Sequence, residues 1–176
     1  MSNCSANNQL LNAIRIGDID LVRRIVDSGV QPFRQKNLLM SNESPLVLAT
    51  QTRLLPLVPL LLDLGAPVDE FGEAGYTALQ VACNNSSLDM AKLLLKYGAN
   101  VAVYKHHPTA VAFAAFSGND ALVRLILDNG GNPEEVWIGG VTSALRLRIE
   151  VLRELVAFSN RVPDYVVRLL AVENKN

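Results

Sequence analysis

The sequence has no excess of charge of either sign. It contains 16 Lys and Arg against 17 Asp and Glu in 176 residues, a formal net charge of −1. A chain without a cationic bias does not attract polyanions, so we expect neither nucleic acid nor an anionic membrane as a partner. Apolar residues make up 49% of the chain, which supplies a hydrophobic core and excludes disorder over its whole length.

Cysteine and histidine are also scarce, with two of each. Cys4 and Cys83 lie far apart, and His106 and His107 are adjacent in an expected loop. Neither type forms a CxxC or Cys/His cluster with the spacing of metal ligands, so we expect no metal site and no disulfide framework. Cysteine usage of this kind favours a reducing compartment, the cytoplasm or the nucleus.

Long apolar runs are absent. The most apolar stretch, residues 54–62, is interrupted by Pro56 and Pro59, and it is shorter than the ~20 residues that a membrane-spanning helix needs. The first residues lack the basic and apolar segments of a signal peptide. We therefore expect a chain that stays out of membranes.

Two markers recur along the chain at a nearly constant spacing. One is an alanine three positions after an apolar residue, and the other is a glycine that follows a leucine-rich run. Within each marker, successive members are 36, 33 and 32 residues apart, which indicates an internal repeat. The alanines are Ala13, Ala49, Ala82 and Ala114, and the glycines are Gly29, Gly65, Gly98 and Gly130.

Each repeat predicts a pair of short helices. Apolar residues such as Leu88, Ala91 and Leu94 have helical spacing, and the glycine that follows suits the left-handed residue that ends a helix. A tight turn near Gly17 or Gly118 separates the two helices of a unit. Helices this short cannot bury an apolar face alone, so the units are expected to stack into a solenoid.

The starts of the first helices carry capping residues. Ser44, Thr77 and Thr109 are predicted to accept a backbone N–H bond, and Pro45 stands where no donor is needed. The recurring alanines are small because neighbouring helices approach closely there.

Three stretches depart from the pattern. Residues 30–42 hold three extra residues, which predicts a longer first inter-repeat loop. Pro56 is expected at the first position of a second helix, and Pro59 is expected to distort the start of that helix. A fifth unit opens at Thr142 but lacks the marker alanine, and its apolar spacing predicts one long amphipathic helix over 143–158.

Several strings resemble ankyrin repeats: ESPLVLA at 43–49, GYTALQVAC at 75–83, PTAVAFAAFSG at 108–118 and the ending KYGAN at 96–100. The resemblance implies an all-α fold, a solenoid of stacked helix-turn-helix units with β-turn finger loops. It also implies protein binding as the function. We expect one domain over 1–176, with repeats at about 7–36, 37–71, 72–103 and 104–136 and a degenerate capping unit at 137–176.

No catalytic motif is present. GxGxxG, GxxxxGK[ST], HExxH and GxSxG strings are all missing, so the sequence predicts no enzyme, no cofactor and no small-molecule substrate. Cys83 occupies a small-residue core position and is expected to be buried and inert.

In the family resembled here, partners usually sit on the concave face made by the finger tips and the exposed side of each first helix. The resemblance therefore implies a near-neutral partner-binding surface. On the fingers it comprises Met40, Glu43, Glu73, Tyr76, Lys105, His106, Trp137 and Ile138, and on the first helices Gln51, Asn84, Asn85, Phe116 and Ser117.

Aromatic residues make up only 6% of the chain, and four of them fall on or beside this surface: Tyr76, Tyr104, Phe116 and Trp137. Aromatic side chains are enriched at the energetic centres of interfaces. The alternative for Tyr104 and Trp137 is that they pack on adjacent fingers and stiffen them.

The C-terminal segment Tyr165–Val172 is apolar nearly all round. Either it folds back as a cap, or a partner or a second copy of the chain covers it. The strings at 143–155 and 161–170 are also distantly similar to a SOCS box, although Leu147, Arg148 and Ile149 lack its cysteine. Two functions stay open: a scaffold, adaptor or inhibitor that binds a partner protein, or a substrate adaptor of a ubiquitin ligase.

Overall fold

The structure, a computed structural model, describes residues 3–29, 43–105, 108–138 and 149–159. These residues form ten helices and no strand. In chain order the helices are α1 (Asn3–Ile16), α2 (Ile19–Asp27), α3 (Pro45–Gln51), α4 (Leu57–Asp63), α5 (Ala78–Asn84), α6 (Leu88–Lys96), α7 (Ala110–Ser117), α8 (Asp120–Asp128), α9 (Glu135–Ile138) and α10 (Ile149–Phe158).

The helices pair within a unit, and the pairs stack on one another. α1 packs on α2, α3 on α4, α5 on α6 and α7 on α8. The first helices α1, α3, α5 and α7 contact one another in order, while α6 contacts α8 and α8 contacts α10. The result is a layer of first helices against a layer of second helices, which confirms the predicted all-α solenoid.

The marker alanines of the first helices lie in the core. Ala13, Ala49, Ala82 and Ala114 are fully buried within one continuous apolar core. A close-packed interior leaves no room for a larger side chain at such a position. The burial of the four alanines agrees with their prediction as small core residues of the repeat.

Hydroxyl groups begin the first helices at the predicted positions. The backbone N–H of the third helical residue lies 3.4 Å from Ser44 Oγ, 3.3 Å from Thr77 Oγ1 and 3.3 Å from Thr109 Oγ1. Thr77 forms a full capping box, because Gln80 Oε1 accepts from the Thr77 N–H at 2.9 Å. Pro45 is the first residue of α3, where it gives up no hydrogen bond.

The marker glycines end the second helices in the left-handed region. Their φ angles are 81° at Gly29, 89° at Gly65, 85° at Gly98 and 90° at Gly130. This conformation costs glycine little and other residues considerably more, which explains the second marker of the repeat.

The turn between the two helices of a unit is left-handed as well, and two units use residues other than glycine there. The turn position of Gly17 and Gly118 is occupied in the other two units by Arg53, with φ of 58°, and by Ser86, with φ of 54°. Both side chains reach the next unit: Arg53 Nη2 donates to Asn85 O at 3.4 Å, and Ser86 Oγ accepts from Asn119 Nδ2 at 3.2 Å. The backbone is strained at both turns, because the left-handed conformation is unfavourable for residues other than glycine.

Helix α4 begins late because of its prolines. Pro56 lies just before the helix rather than at its first position, and the helix begins at Leu57. Pro59 has no N–H to donate to Leu55 O, and Val58 N donates there instead at 3.3 Å, as in a 3₁₀ turn. The expected distortion is therefore confirmed, with Pro56 one residue earlier than predicted.

Helix α10 lies in the layer of second helices. Val151 and Leu155 are buried, and Arg124 Nε on α8 donates to Glu154 Oε2 at 3.0 Å. Residues 139–148, with Thr142, and the apolar segment Tyr165–Val172 lie outside the described residues. Of the helix predicted over 143–158, the described part is Ile149–Phe158, which packs on α8 as a second helix would rather than a first.

No described helix combines the length and the apolar character that a membrane crossing requires.

Candidate functional site

A tight finger loop leads into α5. Gly75 N donates to Gly72 O at 2.9 Å, and Gly72 N donates to Tyr76 O at 3.0 Å. Gly72 lies against α3, where an added Cβ would come within 2.8 Å of Val47 Cγ1. The loop leaves Glu73 exposed at its tip and brings Tyr76 back to the start of the helix.

Tyr76 packs against the first helix of the next unit. Its ring meets the ring of Phe113 edge to face, with centroids 5.3 Å apart and planes at 79°. Beside this pair lies a cleft of about 170 Å³ that spans three successive first helices. Its lining consists of Gln51, Tyr76, Val81, Asn84, Asn85 and Phe113.

The repeat explains how the cleft is assembled. Gln51, Asn84 and Phe116 occupy equivalent positions in successive units, and Val81 and Phe113 lie one helical turn earlier at another shared position. Residues three apart share a face of a helix, so the two rows run side by side across α3, α5 and α7. Val81 is buried, Phe113 is half-buried and the outer row is exposed, which gives an apolar floor with a polar edge. We name this surface the first-helix face.

The polar edge consists of carboxamides. Gln51 and Asn84 are exposed and Asn85 is half-buried. Within the described residues none of the three side chains makes a hydrogen bond, and no ionised group lines the cleft. Each carboxamide can both donate and accept, so this edge can bind uncharged polar groups.

Phe116 extends the apolar surface beyond the cleft. Its side chain is 45% exposed at the end of α7, as its position in the repeat predicted. Ser117, the next residue, donates its hydroxyl to Ala114 O at 2.7 Å and closes the helix end. The ring of Phe116 is thus presented to solvent on a regular helix.

Two predicted finger residues serve contacts between units. Glu43 forms an ion pair with Arg15 of α1 and is only 12% exposed. Lys105 places its Nζ 4.4 Å from the centroid of the Phe71 ring on the preceding finger, in a cation–π contact. Both residues lie where predicted, and both have partners within the chain.

Four predicted site residues have no described side chain. Met40 and His106 lie outside the described residues. Trp137 and Ile138 belong to α9, which contacts α7, but their side chains are not described. Tyr104 is 39% exposed on its finger. Whether these aromatic residues bind a partner or stiffen the fingers stays a prediction.

Val81 and Phe113 line the cleft but are not among the predicted site residues. Both are apolar residues within first helices. The signal that could have found them is their place one turn before Asn84 and Phe116, on the same side of each helix.

Cys83 offers no chemistry to this face. Its side chain is buried, and burial raises the pKa of its thiol to about 12. The thiol is therefore protonated at neutral pH, and the thiolate is the nucleophilic form. In the part of the chain that the structure describes, no three His, Cys, Asp or Glu side chains come together as metal ligands.

A family model for ankyrin repeats, described as three copies, matches residues 10–105 and again 70–136. The chain belongs to the ankyrin repeat family. Ankyrin repeats mediate protein–protein interactions, so the first-helix face lies in a fold that binds proteins.

Similar proteins come from several kingdoms. The chain is 35% identical over 127 residues to the probable E3 ubiquitin-protein ligase XBOS33 of Oryza sativa subsp. japonica, and the match covers 70% of this chain and 24% of that protein. It is 34% identical over 128 residues to the E3 ubiquitin-protein ligase XBAT33 of Arabidopsis thaliana, covering 70% and 25%. It is 31% identical over 120 residues to a putative ankyrin repeat-containing protein of Treponema pallidum, covering 66% and 39%. The chain thus matches only 24% to 39% of the length of these relatives.

Proposed function

We propose that this chain is a non-enzymatic interaction module that binds a partner protein on its first-helix face. The observation that carries the proposal is the convergence of Gln51, Tyr76, Asn84 and Asn85 on one cleft beside the exposed ring of Phe116. These residues come from three repeats and are predicted from the sequence to contact a partner. Aromatic side chains next to polar groups are typical of the energetic centre of an interface.

The face is rigid before any partner arrives. Tyr76 is fixed by the turn at Gly72 and by its contact with Phe113. Gln80, which is fully buried, donates its Nε2–H to Pro108 O at 3.0 Å and so joins the finger of the fourth repeat to α5. A preorganised surface loses little conformational entropy on binding, which favours affinity. Such binding could scaffold the partner or mask one of its surfaces.

Affinity purification with two matched variants tests the proposal. Phe116→Ala and Phe158→Ala each remove an exposed ring, 45% and 38% exposed respectively, but Phe158 lies on α10 in the layer of second helices. We expect wild type and Phe158→Ala to retain the same partner and Phe116→Ala to lose at least about 90% of it, since an interface centre contributes ~2 kcal/mol or more. Circular dichroism melts establish that both variants fold. Equal retention by all three proteins would contradict the proposal.

The second candidate is a substrate adaptor of a ubiquitin ligase. It is prompted by the two plant relatives named as E3 ubiquitin-protein ligases, which match over the repeats at 35% and 34% identity and over about a quarter of their own length. In this function the repeats hold a substrate and the C-terminal segment at 161–170, outside the described residues, contacts the ligase. We expect Leu169→Asp with Leu170→Asp to lose ligase subunits while keeping the substrate. A complex that contains no ligase subunit in the wild type would remove this candidate.

A cytoplasmic or nuclear location stays a prediction, which imaging of the tagged full chain checks. The same holds for self-association through Tyr165–Val172, which sedimentation velocity over a range of concentrations tests.

A further inference from the structure

The cleft has the size of a single side chain. Its volume is about 170 Å³. An engineered apolar cavity of about 150 Å³ holds one benzene molecule, and sites for drug-sized ligands measure ~300–1,000 Å³. One aromatic ring or one branched aliphatic group therefore fills the cleft, whereas a cofactor-sized molecule would extend beyond it.

The interior of the cleft suits an apolar group. Val81 forms part of it at 8% exposure, and the rings of Tyr76 and Phe113 hold each other edge to face. None of the six lining residues carries a charge at neutral pH. An ionised side chain entering here would lose hydration and gain no opposite charge in the lining, which costs free energy.

The edge of the cleft suits a peptide backbone. Gln51, Asn84 and Asn85 each offer an amide N–H donor and a carbonyl acceptor, the same pair of groups that a peptide unit presents. In an extended segment, neighbouring side chains point to opposite faces. One side chain can therefore enter the cleft while the peptide groups on either side of it meet the carboxamides.

We infer that the cleft receives one aromatic or branched aliphatic side chain from an extended, uncharged segment of the partner protein, whose adjoining peptide groups hydrogen-bond Gln51, Asn84 and Asn85. The inference rests on the proposed function and specifies the chemistry of the partner at the same face.

Selection of random dodecapeptides displayed on phage, with the full chain as bait, tests the inference without a known partner. We expect the selected peptides to share one Phe, Tyr, Leu or Ile between uncharged residues. Synthetic versions should bind the chain in fluorescence anisotropy and lose affinity at least about tenfold when that residue is replaced by Ala.

Two isosteric variants locate the binding. Asn84→Asp keeps the shape of the cleft edge but replaces amide donors by a carboxylate, and we expect the peptides to bind it at least about tenfold more weakly. Asn129→Asp makes the same substitution at the end of α8, in the layer of second helices, where it also removes the hydrogen bond from Asn129 Nδ2 to Leu125 O, and should bind like wild type. Both positions are exposed, and thermal melts of both variants establish that they fold.

Four results would overturn the inference: no peptide enriched, a charged consensus without a shared apolar residue, equal affinity of wild type and Asn84→Asp, or a wild-type dimer that Asn84→Asp dissociates. The last result would assign the cleft to a second copy of the chain. If Phe116→Ala still releases the cellular partner in any of the first three cases, the proposed function stands and only the occupant of the cleft is wrong.

Discussion

Gly131 stands where the two preceding repeats carry alanine, at Ala66 and Ala99. A Cβ added at Gly131 would come within 2.6 Å of Val111 Cγ2 and 2.9 Å of Ile126 Cγ2. The two repeats that carry alanine have leucine at the positions equivalent to Val111 and Ile126, and leucine does not branch at Cβ. The branched residues of the fourth repeat thus fill the space that the alanine side chain occupies elsewhere.

This compensation predicts the effect of Gly131→Ala. We expect the free energy of unfolding to fall by about 1–2 kcal/mol. The steric overlap of the added methyl group outweighs the ~0.4–1 kcal/mol of stability that alanine gains by restricting the unfolded chain. Adding Val111→Leu and Ile126→Leu should recover part of that loss, because the added Cβ still meets the Ile126 carbonyl oxygen at 2.9 Å. Urea denaturation of the three proteins measures both effects, and a Gly131→Ala protein as stable as wild type would show that the compensation does not operate.

Burial of the Cys83 thiol predicts a pH dependence. Its pKa is raised from 9.0 to about 12 in the folded chain. The unfolded chain therefore loses this proton first, and stability falls as pH rises through the window from about 9 to 12, by up to about 1.4 kcal/mol per pH unit. Urea denaturation at several pH values should show a smaller fall for Cys83→Ala than for wild type. Identical slopes for the two proteins would contradict the prediction.

The same burial predicts protection from alkylation. In a Cys4→Ser background, iodoacetamide at pH 8 should modify Cys83 only when urea unfolds the chain, because the native thiol is both buried and protonated. Mass spectrometry measures the modified fraction, and rapid labelling without urea would contradict the burial.

At the scale of elements, the starts of the helices differ in how they are capped. Thr77 begins α5 with a reciprocal capping box, whereas Ser87 begins α6 without any side-chain cap hydrogen bond. Removing a hydroxyl that caps a helix leaves backbone N–H groups without a partner, and in α5 those groups are buried.

The pair provides a matched test of capping. We expect Thr77→Ala to lower the free energy of unfolding by about 1–2 kcal/mol and Ser87→Ala by less than about 0.5 kcal/mol. Urea denaturation followed by circular dichroism measures both values. Equal losses would show that the Thr77 hydroxyl does not stabilise α5.

The sequence predicts the helices well because their signals are local. Ser44, Thr77 and Thr109 cap first helices, and the marker glycines end second helices, each within a few residues of the helix that they bound. The late start of α4 also follows from a local cause, the missing N–H of Pro59. The left-handed turns at Arg53 and Ser86 were not predicted, because nothing in either residue type favours that conformation.

At the scale of the whole molecule, the repeat spacing predicts the solenoid, but it does not give the angle at which one unit meets the next. That angle brings Tyr76 onto Phe113 and opens the cleft between α3, α5 and α7. It also pairs Glu43, which the sequence assigned to partner binding, with Arg15. Positions in the repeat therefore predict which residues share a face, while the packing of the units determines which side chains converge on it.

Photo-crosslinking tests binding at the first-helix face most directly. Benzoylphenylalanine is placed at position 116, or at position 158 as the matched control. Both positions should tolerate it, because each carries an exposed phenylalanine. Irradiation in cells, followed by mass spectrometry, identifies what each position touches. We expect a discrete partner protein crosslinked through position 116 and not through position 158. The same partner crosslinked through position 158 alone would contradict binding at this face.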